Sequence, residues 1–534
     1  MSERAVTDDA ATNRQRRRRG AATAAAHEAE PAAGGESEGA ATTATRRTGG
    51  RSGRGGGTGG DGGSDSGGGS AAPRAGSKLA AMVADRMIGD IAALGWPEGE
   101  VVGSEPELLA RYGVSRAVFR EAVRLVEHKQ VARMRRGPGG GLVVTPPSVD
   151  SVADAVSVYL FYVGAEIDEV FEARLELEEA AAELAPQRLD EDGIAALRTL
   201  VQREGEGTIT DHRHLHGLVA AITGNPALEF FVDLLHRVTL LYLPPRDRIE
   251  HQVKVDAAAA HAAIVEAIVA GDESRARRRM RRHLDAEADY LRGRRPSRQR
   301  LVELTEAEGR RDKRAEVTAR RILGEVTAAG WPVGRLLGSE AELIERYDVS
   351  RAVLREAVRV LEHHQVARMR RGPGGGLFVA EPGIEAVTDA VALQVARQGI
   401  EPAQLFEVRS AVEMAVLDRV MATLSAEGAD RLGTALDAEQ AASGDLDEFA
   451  VVGHDLHNVL AEVAGNPVSQ LLTMVLVLLT RLRVAPPAGA PDPFPTQDAI
   501  DVHRGIVEAI LAGDHDLARH RMRRHLDALV AWVR

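Results

Sequence analysis

The chain has 534 residues, a formal net charge of −12, 44% hydrophobic but only 3% aromatic residues, and no cysteine. This excludes disulfides and thiolate metal sites, fits a reducing cytoplasm, and argues against indiscriminate nucleic-acid binding while leaving room for a local basic surface. No signal peptide is evident, and the longest apolar run, Leu471–Thr480, is shorter than the ~20 residues a bilayer requires. It reads as a core helix, and the chain is expected to be cytoplasmic with no membrane partner.

Residues 1–76 are Gly, Ser, Ala, Thr and Arg with almost no large apolar side chain, and are expected to be disordered. Arg16–Arg19 would either attract phosphates loosely or only add solubility. From Lys78, Leu79, Met82, Val83, Met87 and Ile91 recur at helical spacing until Gly95-Trp96-Pro97 stops the helix. Ser104 and Glu107 form a capping box that opens a short helix over 105–112, and Gly113 breaks it. Ser115 is a good N-cap for a helix reaching about His128. Two short stretches around Gly137–Gly141 read as a hairpin.

The same words return. Residues 103–144 recur as 338–379, identical at about three quarters of positions. A repeat of roughly 235 residues far exceeds the ~20–50 of a solenoid unit, so the chain is a tandem duplication of a whole protein. Each copy is large enough for two domains at ~100–200 residues per domain. The remainder of each copy reads as helix after helix. Its loops are marked by Gly224-Asn225-Pro226, Pro244-Pro245 and Gly271-Asp272, then by Gly465-Asn466-Pro467, Pro486-Pro487 and Gly513-Asp514.

Arg116, Arg120 and Arg124 are four apart and share one face of the third helix. Val118, Ala122, Val123 and Val126 fall on the other side. Arg133, Arg135 and Arg136 precede the glycine-rich hairpin tip. The second copy repeats these as Arg351, Arg355, Arg359, Arg368, Arg370 and Arg371. One such helix alone is more often a solvated face with ion pairs to Glu121 and Glu127. A capped preceding helix, a turn, a basic wing and a faithful second copy together point to a helix-turn-helix whose second helix enters the major groove. The arginine fork suits guanine or paired phosphate oxygens.

This stretch resembles the winged helix-turn-helix of GntR-type bacterial transcription regulators over nearly all of 78–145 and 313–380. The resemblance implies that Ser115, Arg116, Ala117, Arg120, Arg136 and Gly137 face DNA, with Ser350, Arg351, Ala352, Arg355, Arg371 and Gly372 as counterparts. Some members carry a further arginine at the start of the second helix. Pro106 and Ala341 stand there, so that contact is absent.

His261 and His283 lie about eleven residues on either side of the Asp272 turn, hence level on two antiparallel helices, ~16 Å from the turn. His503 and His525 flank Asp514 equally. His212 and His216 stand at i, i+4, a spacing suited to a metal grip, and His457 is the partner of His216. For any one of these, a core or surface role is the blander alternative. Together they suit Zn, Ni, Fe or Mn. The helical part is similar to the FCD domain of the FadR subfamily, usually an antiparallel bundle. That resemblance rests on Glu172-x-Arg174-x-x-x-Glu178, His216, Gly224-Asn225-Pro226, His261 and His283, and on Glu407-x-Arg409-x-x-x-Glu413, His457, Asn466-Pro467, His503 and His525. It implies that Arg174 and Arg409 meet an effector carboxylate. Metal-binding members have an Asp four residues before the first His. His212 and Gly453 occupy that place, which makes the first copy the better metal candidate.

The expected architecture is mainly α. It comprises a tail over 1–76, winged helix-turn-helix domains over 77–147 and 313–382, antiparallel all-α ligand-binding bundles over 148–292 and 383–534, and a linker over 293–312. The expected function is a non-enzymatic transcription regulator that binds a near-palindromic double-stranded DNA operator as a pseudo-dimer within one chain and responds to a small carboxylate-bearing metabolite. A homodimer of chains stays open. The alternatives are a metal-responsive regulator and, less favoured, a metal-dependent hydrolase. The last lacks a base beside the histidines in the sequence, a nucleophile motif and a phosphate loop.

Overall fold

The computed structural model describes residues 75–129, 131–135, 137, 139–145, 149–208, 213–243, 249–293, 313–370, 372, 374–444, 455–484 and 496–533. The expected tail, apart from its last two residues, and the expected linker, apart from Gly293, lie outside them. So do Arg136, Arg371 and His212. The described chain is mainly α, with two small sheets.

The first half begins with a head. Helix α1 (Ala75–Ala93) leads to strand β1 (Val101–Gly103), helices α2 (Glu105–Tyr112) and α3 (Arg116–His128), and strands β2 (Ala132–Arg135) and β3 (Gly141–Val144). The strands form an antiparallel sheet of order β1-β3-β2, with Arg133 opposite Val143. Local chemistry sets each boundary. The Ser104 backbone N–H donates to Glu107 at 2.7 Å, which starts α2. Gly113 ends it in the left-handed conformation at φ 64°. The Ser115 hydroxyl accepts the Val118 N–H and starts α3. Phe119, Ala122, Val123 and Val126 are buried with Met87, Ile91 and Leu108 in the head's core. Leu79 and Met82, read as part of the apolar face of α1, are exposed instead. At Gly141 a Cβ would lie 2.4 Å from the Gly103 carbonyl oxygen, so the approach of β1 to β3 itself demands glycine.

The bundle that follows comprises α4 (Val149–Val163), α5 (Ile167–Arg188), α6 (Glu191–Gly205), α7 (Arg213–Ile222), α8 (Pro226–Thr239), α9 (His251–Val269) and α10 (Glu273–Leu291). The second half repeats the plan. Its head is α11 (Lys313–Ala328), β4 (Leu336–Gly338), α12 (Glu340–Tyr347), α13 (Arg351–His363), β5 (Ala367–Arg370) and β6 (Gly376–Val379). Its bundle is α14 (Ile384–Arg397), α15 (Pro402–Thr423), α16 (Ala426–Ala441), α17 (Asp455–Ala464), α18 (Pro467–Val484), α19 (Thr496–Leu511) and α20 (His515–Val533).

The two bundles share one continuous apolar core. Val156, Phe231, Leu234 and Leu235 meet Val387, Val391, Val468, Leu471, Leu472 and Val475 across the seam. The polar contacts across it are reciprocal. Asn225 donates to the Gln404 carbonyl at 3.0 Å and to Glu407 at 2.7 Å, while Asn466 donates to the Glu169 carbonyl at 3.1 Å and to Glu172 at 2.8 Å. Each asparagine thus meets the counterpart of what the other meets, which is the signature of a two-fold interface. Arg188 and Arg419 then clamp Glu407 and Glu172, respectively. The clamps are about one-third exposed and contribute only ~0–1 kcal/mol each. Each fully buried large apolar side chain contributes ~1.5–3 kcal/mol, so the seam supplies strength and the polar pairs fix register.

The heads reach across this seam. Tyr162 of α4 donates to Glu381 at 2.7 Å, and its ring meets Trp331 edge-on at 5.9 Å, so the second head rests on the first half. Lys129 of the first head pairs with Asp389 of α14 at 2.9 Å, and Leu393 packs against that head's core.

Each interface asparagine is also the N-cap of the helix after its Gly-Asn-Pro turn, accepting N–H bonds from Ala227 and Leu228 or from Val468 and Ser469. Asn225→Ala and Asn466→Ala should therefore each destabilise the chain by about 1–3 kcal/mol, read as a lower urea midpoint. A change below 0.5 kcal/mol in both, on the ~1 kcal/mol scale of a cap, would remove the asparagines from this role.

Candidate DNA interface and histidine centres

Helix α3 presents Arg116, Arg120 and Arg124 to solvent together with Ser115 and Ala117. The Arg120 and Arg124 side chains are 67% and 72% exposed, and Arg351, Arg355 and Arg359 of α13 are 65–75% exposed. Among the described residues Glu127 holds no arginine; it accepts the Met134 backbone N–H at 2.9 Å and ties the helix to the wing, as Glu362 does for Met369. Glu121 pairs with Arg124 at 2.7 Å, and Glu105 lies 3.8 Å from Arg120. These exposed pairs are weak and yield readily to phosphate. Gly137 and Gly139, at φ 103° and 70°, turn the wing tip, as Gly372 and Gly374 do at 102° and 72°. Arg133, Arg135, Arg368 and Arg370 flank the tips and are exposed.

The histidines converge inside the bundles. The Nε2 atoms of His261 and His283 are 3.2 Å apart, and those of His283 and His216 are 3.3 Å apart. In the second half His503 to His525 and His525 to His457 are each 3.3 Å. All six residues are buried. Glu204 accepts from His261 Nδ1 at 2.8 Å, and Glu178 from His216 Nδ1. Glu439 and Glu413 do the same for His503 and His457, at 2.9 and 2.6 Å. An ionised carboxylate only accepts, so Nδ1 of His216, His261, His457 and His503 carries a proton and Nε2 of each ring is the atom turned toward the shared centre. With these Nδ1 atoms bonded outward, the Nε2 atoms are left to gather at the centre, 3.2–3.3 Å apart. The donor set therefore fits a divalent metal, held by His216, His261 and His283 or by His457, His503 and His525. The preference for the first copy rested on His212, outside the described residues; the two triads are otherwise alike.

Arg174 and Arg409 sit beside these centres, fully or almost fully buried. Arg174 donates to Glu178 at 2.7 Å, and Arg409 to Glu413. Burial alone would raise the Glu178 and Glu413 carboxyls, but the adjacent arginine and histidine win and hold both at about 2. Burial pushes His457 below its ordinary value against the pull of Glu413, which keeps it neutral. Glu204 and Glu439 escaped the sequence reading because they lie 57 and 64 residues from the rings they hold. Glu178 and Glu413 were visible only as parts of the resemblance.

Two basic helix-turn-helix heads, each leading into a bundle with a buried ligand-ready centre, define a DNA-binding regulator. A family model described as the FCD domain matches residues 169–286 and 404–528. The chain is 27% identical over 246 residues to the HTH-type transcriptional repressor NanR of Cronobacter sakazakii, covering 45% of this chain and 88% of that protein. It is 27% identical over 225 residues to the NanR of Salmonella newport, covering 40% and 85%. Among solved structures it is similar to Streptococcus agalactiae GntR, at 24% identity and TM-score 0.34 over 41% of this chain and 99% of that one. The chain belongs to the GntR family of transcription regulators and carries an FCD domain in each half. Family and relatives are regulators rather than enzymes, which sets the hydrolase alternative aside. No helix among the described residues is long and apolar enough to cross a membrane.

The carboxyls predict a pH profile. Glu178 and Glu413 are depressed from 4.5 to about 2, so the unfolded chain takes up their protons first as pH falls. Their stabilisation is complete above 4.5 and is lost between 4.5 and about 2. His457, lowered from 6.5, adds a loss that begins as pH falls below 6.5. Urea midpoints should thus be level above neutrality, dip slightly below 6.5 and fall steeply below 4.5. Glu413→Gln should shallow the acid limb; an unchanged limb counts against the coupling.

Proposed function

We propose that one chain binds a near-palindromic operator on double-stranded DNA as an intramolecular pseudo-dimer, in the cytoplasm, and that a small acidic metabolite in the bundles alters its hold. The observation that carries this reading is the reciprocal seam: it relates two near-identical heads as the subunits of a two-fold dimer are related. Fusion raises the effective concentration of the second head without any new contact. The proposed DNA contacts are Ser115, Arg116, Ala117, Arg120, Arg136 and Gly137 with their six counterparts. Arg174 and Arg409 are the proposed effector residues.

The triads would hold Zn, Ni, Fe or Mn, which when bound supplies a positive charge for an anionic ligand. A second reading, in which the metal itself is the signal, is favoured by the gathering of three buried histidine ligand atoms within 4.8 Å in each half. Chelation that changes operator affinity with no metabolite present would select it.

The test is half-site footprinting. Arg120→Ala should weaken protection at one half-site and Arg355→Ala at the other, each by roughly 5–150-fold, the ~1–3 kcal/mol of a base contact. Unchanged affinity in both variants would remove these arginines from the interface.

A further inference from the structure

The two heads are seated differently. The core of the second head runs without a break into the core of the bundles, through Ala319, Ile322, Trp331 and Leu343. The core of the first head is a separate cluster. Among the described residues, Leu393 is the one apolar side chain from outside that head to pack against it.

Tyr162 stands at the join, buried near the end of α4. Its ring meets Trp331 edge-on at 5.9 Å, and its hydroxyl donates to Glu381 at 2.7 Å. Trp331, only 3% exposed, donates its indole N–H to the Ala380 carbonyl at 2.9 Å. Both polar ends of the aromatic pair therefore have partners, as buried tyrosine and tryptophan require. Earlier on α4, Ala155 and Tyr159 face His364 and Gln365 of the same head across a small cleft.

The sequence denies this seat to the first head. Trp96 and Trp331 share a left-handed backbone, at φ 55° and 54°, so the difference lies in what receives the ring. Aligning the halves on these tryptophans puts Arg397 at the place of Tyr162, Gln394 at that of Tyr159 and Pro146 at that of Glu381. An arginine and a proline cannot rebuild the tyrosine–glutamate bond, and Trp96 is only partly buried. The first head has the pair of Lys129 with Asp389, whose side chains are 31% and 55% exposed. Water screens such a pair, and it holds little. A head whose core continues into a large body opens only with that body, whereas one with a core of its own can open and reorient separately.

We infer that Tyr162 is a positioning residue for DNA recognition. It latches the second head to the first bundle as a fixed arm, and the first head, held more loosely, moves to find the other half-site. Fixing one arm settles its orientation before DNA arrives, which lowers the ordering cost of a two-site complex. The DNA part of this inference rests on the pseudo-dimer reading proposed above; the unequal seating does not.

Hydrogen exchange of the DNA-free full chain, with DNA titrations alongside, tests it. Amides of α13 should exchange at least tenfold more slowly than the matching amides of α3. Tyr162→Ala should bring α13 to the rate of α3. The same variant should weaken binding to two-half-site DNA at least fivefold while leaving affinity for a single half-site within twofold, because the position of a head matters only when both are engaged. Should Tyr162→Ala not fold by circular dichroism, Tyr162→Phe and Glu381→Gln serve, each with a smaller shift in the same direction. Equal exchange in the two wild-type heads, a folded variant with α13 unchanged, or equal losses on single and double half-sites would each overturn the inference. Failure of the pseudo-dimer reading shows instead as two wild-type chains on the two-half-site DNA, and leaves the exchange comparison to decide the seating.

Discussion

The reciprocal seam between the bundles is the constraint on which everything else hangs. Asn225 and Asn466 are buried, each caps a helix in its own half, and each spends its amide hydrogens on the other half. Sliding one bundle against the other would empty both amides at once and misalign the apolar ridges beneath them. Because the heads rest on helices of the opposite half, the seam also fixes where the two arginine helices stand. A duplicated chain whose halves merely followed each other would not need such contacts.

The same helix serves the seam and the ligand centre. On α5, Glu172 faces the second half, while Arg174 and Glu178 face the histidines. On α15, Glu407, Arg409 and Glu413 repeat this division. A charge arriving at either arginine therefore acts within two turns of the contacts that hold the halves in register. Coupling between a bundle and a distant head then needs only a small shift of one rigid helix.

Much of this was legible in the sequence because it is written in local chemistry. Ser104 with Glu107, Gly113, Ser115 and the Gly-Asn-Pro turns each fix a boundary through bonds spanning two or three residues. The spacing of His261 and His283 about the Asp272 turn was enough to bring the rings level. Strand β1 went unread because three residues, Val101–Gly103, carry no periodicity. Glu204, Glu439 and Glu287 went unread because their partners lie across the bundle, where a glutamate on the surface and one that holds a buried ring or guanidinium look alike. The crossing of the heads was invisible for the same reason: Lys129 and Asp389 are 260 positions apart.

In the proposed complex one polypeptide does the work of a dimer. Mass measurement of the operator complex by light scattering tests this most directly. A single 57.1 kDa chain is expected on a DNA holding two half-sites. A complex with two chains, and hence four heads, on that same DNA would contradict it.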